Sequence, residues 1–326
     1  MNFLILAQID REAGKGHFNR SRILFKKLKN KFLVDFLVFK SKKINHFYNE
    51  NFTRLKKEHY MQKINDADVV ITDEISCSKE IIQIIKKKFI CSISPIGRVN
   101  KFANIIFSRP MSIKKYNKKS YIDSDITNFL PGSEVLKIHK KNFIKQQKIK
   151  KKIVGISMGG YDKNNKTIKT IKILKTLKDS IAIKVLINSV DNRTFQKIST
   201  EIKKLNMNVK IYSMNKSTWS IFSNCSIVIL SGGISAYESI FAGIPSLNII
   251  NNFSKKKLTT YLEKKNLTKI LSINKKKEIF NFINYYIFNS KELIKYKDRI
   301  DKFTDRLDFN PYANLIKSIK KAYKNK

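Results

Sequence analysis

The stretch Ile227-Val228-Ile229-Leu230-Ser231-Gly232-Gly233-Ile234-Ser235-Ala236-Tyr237-Glu238 runs four apolar residues into Ser-Gly-Gly and then into a segment of helical period closed by Gly243-Ile244-Pro245. A short β-branched run bounded by glycine reads as a buried strand, and strand, glycine turn and helix in succession form half of a βαβ unit. Working outward, the same grammar recurs. Residues 153–158 lead into Met158-Gly159-Gly160-Tyr161-Asp162-Lys163-Asn164-Asn165, and residues 3–7 lead toward Gly14-Lys15-Gly16-His17-Phe18-Asn19-Arg20. Further strands are expected at 32–39, 69–72, 89–93 and 104–107 in the first half, and at 181–188, 209–213, 247–250 and 268–271 in the second. Helical stretches separate them, which predicts an α/β protein with parallel sheets. The Lys-rich segment 144–152 is the linker candidate, dividing the chain into Rossmann-like domains at 1–148 and 149–326. Asn310-Pro311 places a capping residue before a proline at the first helical position, so a last helix should run from Pro311 toward Tyr323, free to pack back on the first domain.

A chain of 326 residues is long for one core, and 42% hydrophobic residues suffice to build two. The net charge of +42 is its most conspicuous property, yet 58 of the 67 basic residues are Lys, spread over the whole length among many Asn and Ile. Sequence-selective nucleic-acid recognition relies on Arg forks and interleaved aromatics, so no specific nucleic-acid partner is expected. An anionic membrane surface met peripherally, or a phosphorylated substrate, is equally compatible with such a field. No apolar run reaches the roughly 20 residues of a membrane helix, the amino terminus reads as a strand rather than a signal peptide, and a cytoplasmic location is expected. Cys77, Cys91 and Cys225 form no CxxC and have no His at zinc spacing, so neither a disulfide framework nor a metal site is implied.

Only 10 residues are Gly, so their grouping at the carboxyl ends of strands is informative, because parallel sheets bind ligands there. Gly14 and Gly16 allow close backbone approach, and His17 at a helix start can move protons near neutral pH. A tight βα turn with an incidental His is the competing reading. Gly159 and Gly160 can expose N–H groups to an anion or form a plain loop before a helix cap. Ser231, Gly232, Gly233 and Ser235 bring N–H groups and hydroxyls to one helix end, and Glu238 can take a ribose hydroxyl or close an ordinary capping box with Ser235.

These three motifs, GxGHxxR, ISMGGxDxxN and SGGxSxxExxxxGxP, resemble those of the GT-B-fold nucleotide-sugar enzymes. Within them the chain is most similar to the UDP-diacetamido-trideoxy-altropyranose hydrolase of pseudaminic acid synthesis, and more distantly to the peptidoglycan N-acetylglucosaminyltransferase. Phe129-Leu130-Pro131-Gly132-Ser133-Glu134-Val135-Leu136 resembles a stretch before the hydrolase linker, and GGxD favours the hydrolase side. The resemblance implies two Rossmann-like domains facing a cleft and cleavage of an anomeric C–O bond in a UDP-type nucleotide sugar, without a metal or other cofactor. It implies His17 as general base, Gly14, Gly16, Arg20 and Asp73 on the substrate side, and Gly159, Gly160, Ser231, Gly232, Gly233, Ser235 and Glu238 around the nucleotide. Transfer to a sugar or lipid-linked hydroxyl is the alternative activity, and an inactive nucleotide-sugar or polyanion-binding protein a second. The sequence departs from the hydrolase pattern where its Arg-x-Asp is Leu6-Ala7-Gln8, its Asp-Asp is Ser94-Pro95, a Gln is Lys255 and an aromatic is Ile75.

Overall fold

The structure is a computed structural model that describes residues 1–9, 16–40, 43–49, 51–110, 121–132, 152–159, 162, 165–187, 192–213, 218–251 and 253–325. The chain divides into two units, Met1–Gly132 with Asp308–Lys326, and Ser133–Leu307. The expected linker at 144–152 lies outside the described residues except for Lys152.

In the first unit the order is β1 (Phe3–Gln8), α1 (Gly16–Leu28), β2 (Val34–Lys40), β3 (Lys43–Tyr48), α2 (Lys57–Asp66), β4 (Val69–Asp73), α3 (Lys79–Ile85), β5 (Phe89–Ser92), a 3-10 turn (Arg98–Lys101), β6 (Ile105–Ser108) and β7 (Tyr121–Ser124). The second unit follows with β8 (Lys152–Ser157), α4 (Lys166–Ile173), β9 (Ile181–Ile187), α5 (Asn192–Lys203), β10 (Val209–Ser213), α6 (Thr218–Phe222) and β11 (Ile227–Leu230). It continues through α7 (Ile234–Phe241), β12 (Ser246–Ile249), α8 (Phe253–Lys264), β13 (Lys269–Leu271), α9 (Lys276–Phe288) and α10 (Ser290–Thr304), and α11 (Pro311–Lys324) returns to the first unit.

The first sheet has the order β3-β2-β1-β4-β5-β6-β7 and the second β10-β9-β8-β11-β12-β13. All pairings between these named strands are parallel except β2 with β3. Central strands of a parallel sheet are covered on both faces, which is why β1 and β4 are continuous apolar runs rather than alternating ones. Phe3, Ile5 and Ala7 of β1 pack with Leu24 and Leu28 of α1, while Leu4 and Leu6 pack on the other face with Tyr60, Ile64 and Ile81. Leu315 and Ile319 of α11 join the first of these clusters. The helix is also tied in by its polar face, Ser318 donating to Asp123 and Asn314 to Thr127 at 3.2 Å. As expected, Asn310 caps it, accepting from the Ala313 amide at 3.4 Å.

The sequence reading missed β3 and β7, the two edge strands of the first sheet. An edge strand packs on one neighbour only and can be short and polar. β7, Tyr-Ile-Asp-Ser, buries none of its residues fully, so it lacks the apolar run that marked the others. Among the described residues no helix is long and apolar enough to cross a membrane, and the three cysteines are buried free thiols.

Candidate functional site

In each sheet the strand order reverses beside its first strand, between β1 and β4 in one and between β8 and β11 in the other. Loops leaving the carboxyl ends of such a strand pair diverge to opposite faces and open a crevice, the general position of ligand sites in this architecture.

At the first of these points β4 ends in Asp73, which is wholly buried. His17, the second residue of α1, has its Nδ1 2.5 Å from Asp73 Oδ1. Arg20, one turn further along the helix, donates through Nε to Oδ2 at 2.5 Å and through a terminal nitrogen to Oδ1, and the Ser21 hydroxyl donates to Oδ2 at 3.0 Å. The i, i+3, i+4 spacing of His17, Arg20 and Ser21 puts all three on one helical face, and the α1–β4 packing aims that face at a single carboxylate. Burial alone would raise the Asp73 pKa, but the Arg20 charge and His17 beside it hold it well below the ordinary carboxylate range. Asp73 is therefore ionised at neutral pH. It accepts a proton-bearing Nδ1, which leaves the Nε2 lone pair of His17 as the basic one. Arg20 lies 3.3 Å from Nδ1 as well, but a nitrogen that donates to Asp73 cannot accept from a guanidinium, so Arg20 acts on the carboxylate. His17 keeps 13% of its side-chain surface accessible while Arg20 keeps 3% and Asp73 none, so the imidazole is the member of the cluster that meets solvent. Arg20 and Asp73, expected on the substrate side, spend their charges on each other.

Gln8, at the end of β1, stood out in the sequence only as a departure from the hydrolase pattern, with no role assigned to it. Its Oε1 accepts the amides of Ile75 and Ser76 at 2.8 and 3.0 Å, and its Nε2 donates to the Ser76 hydroxyl at 3.1 Å, fixing the chain just past Asp73. A polar residue closing an otherwise apolar buried strand was the available signal. Gly16 opens α1, and Gly14 lies outside the described residues.

At the second point Ser157 of β8 lies opposite Leu230 of β11. The loops that follow meet at Ser231: a Cβ on Gly159, whose φ is +82°, would sit 3.2 Å from the Ser231 hydroxyl. Gly160 is outside the described residues. Gly232 and Gly233 both have positive φ, +77° and +74°, and α7 starts at Ile234 with Gly233, which has no side chain to cap it, at its N-cap. Ser235 thus lies inside the helix, and the capping box with Glu238 does not form. Glu238 is buried and accepts from Trp219 Nε1 at 3.3 Å. The Gly233 amide donates to Thr259 at 3.1 Å. The Lys255 ammonium lies 3.4 Å from the Ser231 hydroxyl, and its pKa is lowered by the surrounding protein and by the like charge of Lys166. The α4 start differs: Asp162 accepts the Lys166 and Thr167 amides, each at 2.8 Å, so the carboxylate of GGxD already fills that helix end.

Gly232 is the tighter of the paired glycines, because a Cβ there would lie 2.3 Å from Ile250 Cδ1, whereas one on Gly233 would meet nothing within 4 Å. Gly232→Ala is expected to cost about 1–3 kcal/mol for overpacking on top of the strain of its positive φ, whereas Gly233→Ala, with no crowding, costs only the strain of φ +74° and ψ −136°, about 1–3 kcal/mol. Urea titration of the two variants checks this, and equal losses would contradict it.

No family model matches the sequence. Over 276 residues, 77% of the chain, it is 23% identical to an uncharacterized protein of Methanocaldococcus jannaschii, and it spans 56% of that protein, about half its length. The structure is similar to that of HepE from Anabaena in complex with UDP, with a TM-score of 0.67, 11% identity and all of both chains covered. It is similar also to the spinosyn rhamnosyltransferase SpnG complexed with spinosyn aglycone, with a TM-score of 0.60, 11% identity, and 98% of this chain and 100% of the other covered. With a Rossmann-like sheet of seven strands in one unit and of six in the other, and likeness over the full chain, the protein has the GT-B fold.

Proposed function

We propose that the protein transfers a sugar from a UDP-type nucleotide sugar to a hydroxyl acceptor. The observation that carries this reading is the Asp73–His17 pair at the β1/β4 switch point, which presents a basic Nε2 on a partly accessible imidazole. His17 takes the acceptor hydroxyl's proton as its oxygen bonds to the anomeric carbon. The bond from that carbon to the diphosphate oxygen breaks, and the electron pair leaves with UDP. The second unit supports the other half of the reaction. The uncapped first turn of α7 and the Lys255 ammonium beside Ser231 suit a diphosphate that gains charge as it departs. HepE binds UDP and SpnG is a rhamnosyltransferase, which favours transfer as the activity of this chain.

GGxD favours the second reading, hydrolysis, in which water replaces the hydroxyl. Asp162 caps α4, however, and this structural duty accounts for its carboxylate without a substrate. The two readings separate in labelled water. UDP release that requires an acceptor, with the sugar found on it, is the expected result, and free sugar carrying the label at a catalytic rate without acceptor would establish hydrolysis instead. Nucleotide binding is tested first: UDP at a hundred times its dissociation constant should stabilise the protein by about 2.7 kcal/mol, and no stabilisation by any nucleoside diphosphate would defeat both readings.

Lys255→Gln should weaken UDP by about 1.5–3 kcal/mol, the worth of a charged hydrogen bond, and leave uridine affinity unchanged. Calorimetry with the two ligands checks this, and a parallel loss for uridine would remove Lys255 from the phosphates.

A further inference from the structure

Beside Asp73 stands a second acid that the proposed reaction does not use. Glu74 is 1% exposed. Its Oε1 accepts the Val99 amide at 2.9 Å, with the Arg98 amide also bonded to the carboxyl, so the end of β4 grips the 3-10 turn that follows β5. The fit leaves no slack: a Cβ on Gly97 would lie 2.3 Å from Oε1 and 3.1 Å from the Glu74 carbonyl oxygen. Oε2 is buried without a hydrogen-bond partner among the described residues. Thr72 Oγ1 on β4, Ser94 Oγ after β5 and Asn100 Oδ1 on the 3-10 turn are also buried without a hydrogen-bond partner among the described residues. The Asn100 amide nitrogen donates to the Ser94 carbonyl at 2.9 Å, which orients its oxygen as an acceptor. With Oε2 buried and unpaired, a carboxylate would hold charge on an oxygen that nothing solvates, whereas a carboxylic acid carries no charge there.

We propose that Glu74 is a positioning residue held in its neutral acid form, so that among the described residues Asp73 is the one negative charge facing Arg20 and His17, and that its ionisation places a second negative charge behind that cluster. The groups that face it are Asp73 on its own strand, Arg98 on the turn, whose Nη1 donates to the Cys77 carbonyl at 3.3 Å, and the Cys77 thiol in the chain before α3. Burial raises the Glu74 pKa to about 7; the amides of Val99 and Arg98 work against that rise and the Asp73 charge adds to it. Raising an acid's pKa on folding gives the folded state more bound protons than the unfolded chain between pH 4.5 and about 7. The stability this group leaves the protein therefore falls as pH rises through that window, and levels off above it.

The test needs no substrate and is independent of the proposed reaction. In the wild-type protein with isotope-labelled glutamate, an infrared carboxylic-acid band should persist at pH 6 and vanish as pH passes about 7; a glutamate fully ionised at pH 6 would overturn the proposal. In Glu74→Gln, an uncharged isostere, the band should be absent and the fall in melting temperature between pH 4.5 and 7 should flatten. A slope equal to that of the wild type would count against the proposal. The readout that a purely structural role would not move is the His17 ring resonance. Its chemical shift should agree in wild type and Glu74→Gln well below pH 7 and differ well above it, where only the wild type carries the second charge, and identical shifts in both conditions would refute the positioning role.

Discussion

His17→Ala lowers turnover by roughly a hundred- to ten-thousand-fold, the usual range for a general base, while UDP binding stays near its wild-type strength. The two quantities separate because the groups that suit UDP, the α7 start, Ser231 and Lys255, all belong to the second unit, and His17 belongs to the first. A group that acts on a proton in flight changes kcat and leaves ground-state affinity alone. Asp73→Asn should lose activity by the same route, since an amide in place of the carboxylate can donate to Nδ1 and so favour the tautomer with its lone pair on the wrong nitrogen. Single-turnover rates, together with UDP titrations on each variant, check this. Near-normal turnover of His17→Ala would remove the residue from the reaction, and equal losses of rate and UDP affinity would make it a binding group.

Arg20→Met destabilises the first unit by about 3–5 kcal/mol, the cost of removing one partner of a buried ion pair and leaving the other charged. Both partners are almost fully buried, so solvent does little to screen the loss. The pH dependence gives a second signature. In the wild type the Asp73 pKa is depressed, so its contribution is fully present above the ordinary carboxylate value of 3.8 and disappears as pH falls through the lower folded value. Without Arg20 the burial of the carboxyl is no longer offset by its principal counter-charge, and protonation becomes favourable in the folded state. The variant should recover part of its deficit relative to the wild type on acidification toward pH 4, a range in which the Asp73 contribution of the wild type is unchanged. Urea unfolding of the first unit at pH 7 and pH 4 measures both effects. A loss below about 1 kcal/mol, the value of an exposed pair, would mean that the Asp73 carboxylate does not depend on Arg20.

The two predictions act on a cluster that was only half legible beforehand. His17 declares itself through its place after a glycine turn, and Asp73 through its place at a strand end, but nothing in the order of residues says that they touch, because 56 positions separate them. Arg20 was expected to face the substrate rather than Asp73, and Ser21 would be taken for part of an ordinary polar helix face. The pairing of β1 with β4 turns them into one charge network, and that pairing is a property of strand order. Gln8, Glu74 and Gly97 escaped for a related reason: their roles consist of contacts with chain 20 to 70 positions away, and none belongs to a local pattern.

What the amino-acid sequence determined by itself was everything carried by near neighbours. The buried central strands announced themselves as β-branched runs, the parallel sheets as alternation of strands and helices, α11 as Asn310 before Pro311, and the two switch-point loops as glycines in a glycine-poor chain. Only the tertiary structure decided the edge strands β3 and β7, the capping of α4 by Asp162 and the choice of Trp219 rather than a helix cap for Glu238. It also decided the ionisation of Asp73 and Glu74, two adjacent acids whose pKa values move in opposite directions. Their intrinsic chemistry is nearly the same and both are buried, and the difference comes from what folding sets against that burial: a guanidinium and an imidazole beside Asp73, and for Glu74 two backbone amides that offset it only in part. Such an environment is assembled from elements distant in the chain, so no window of sequence contains it.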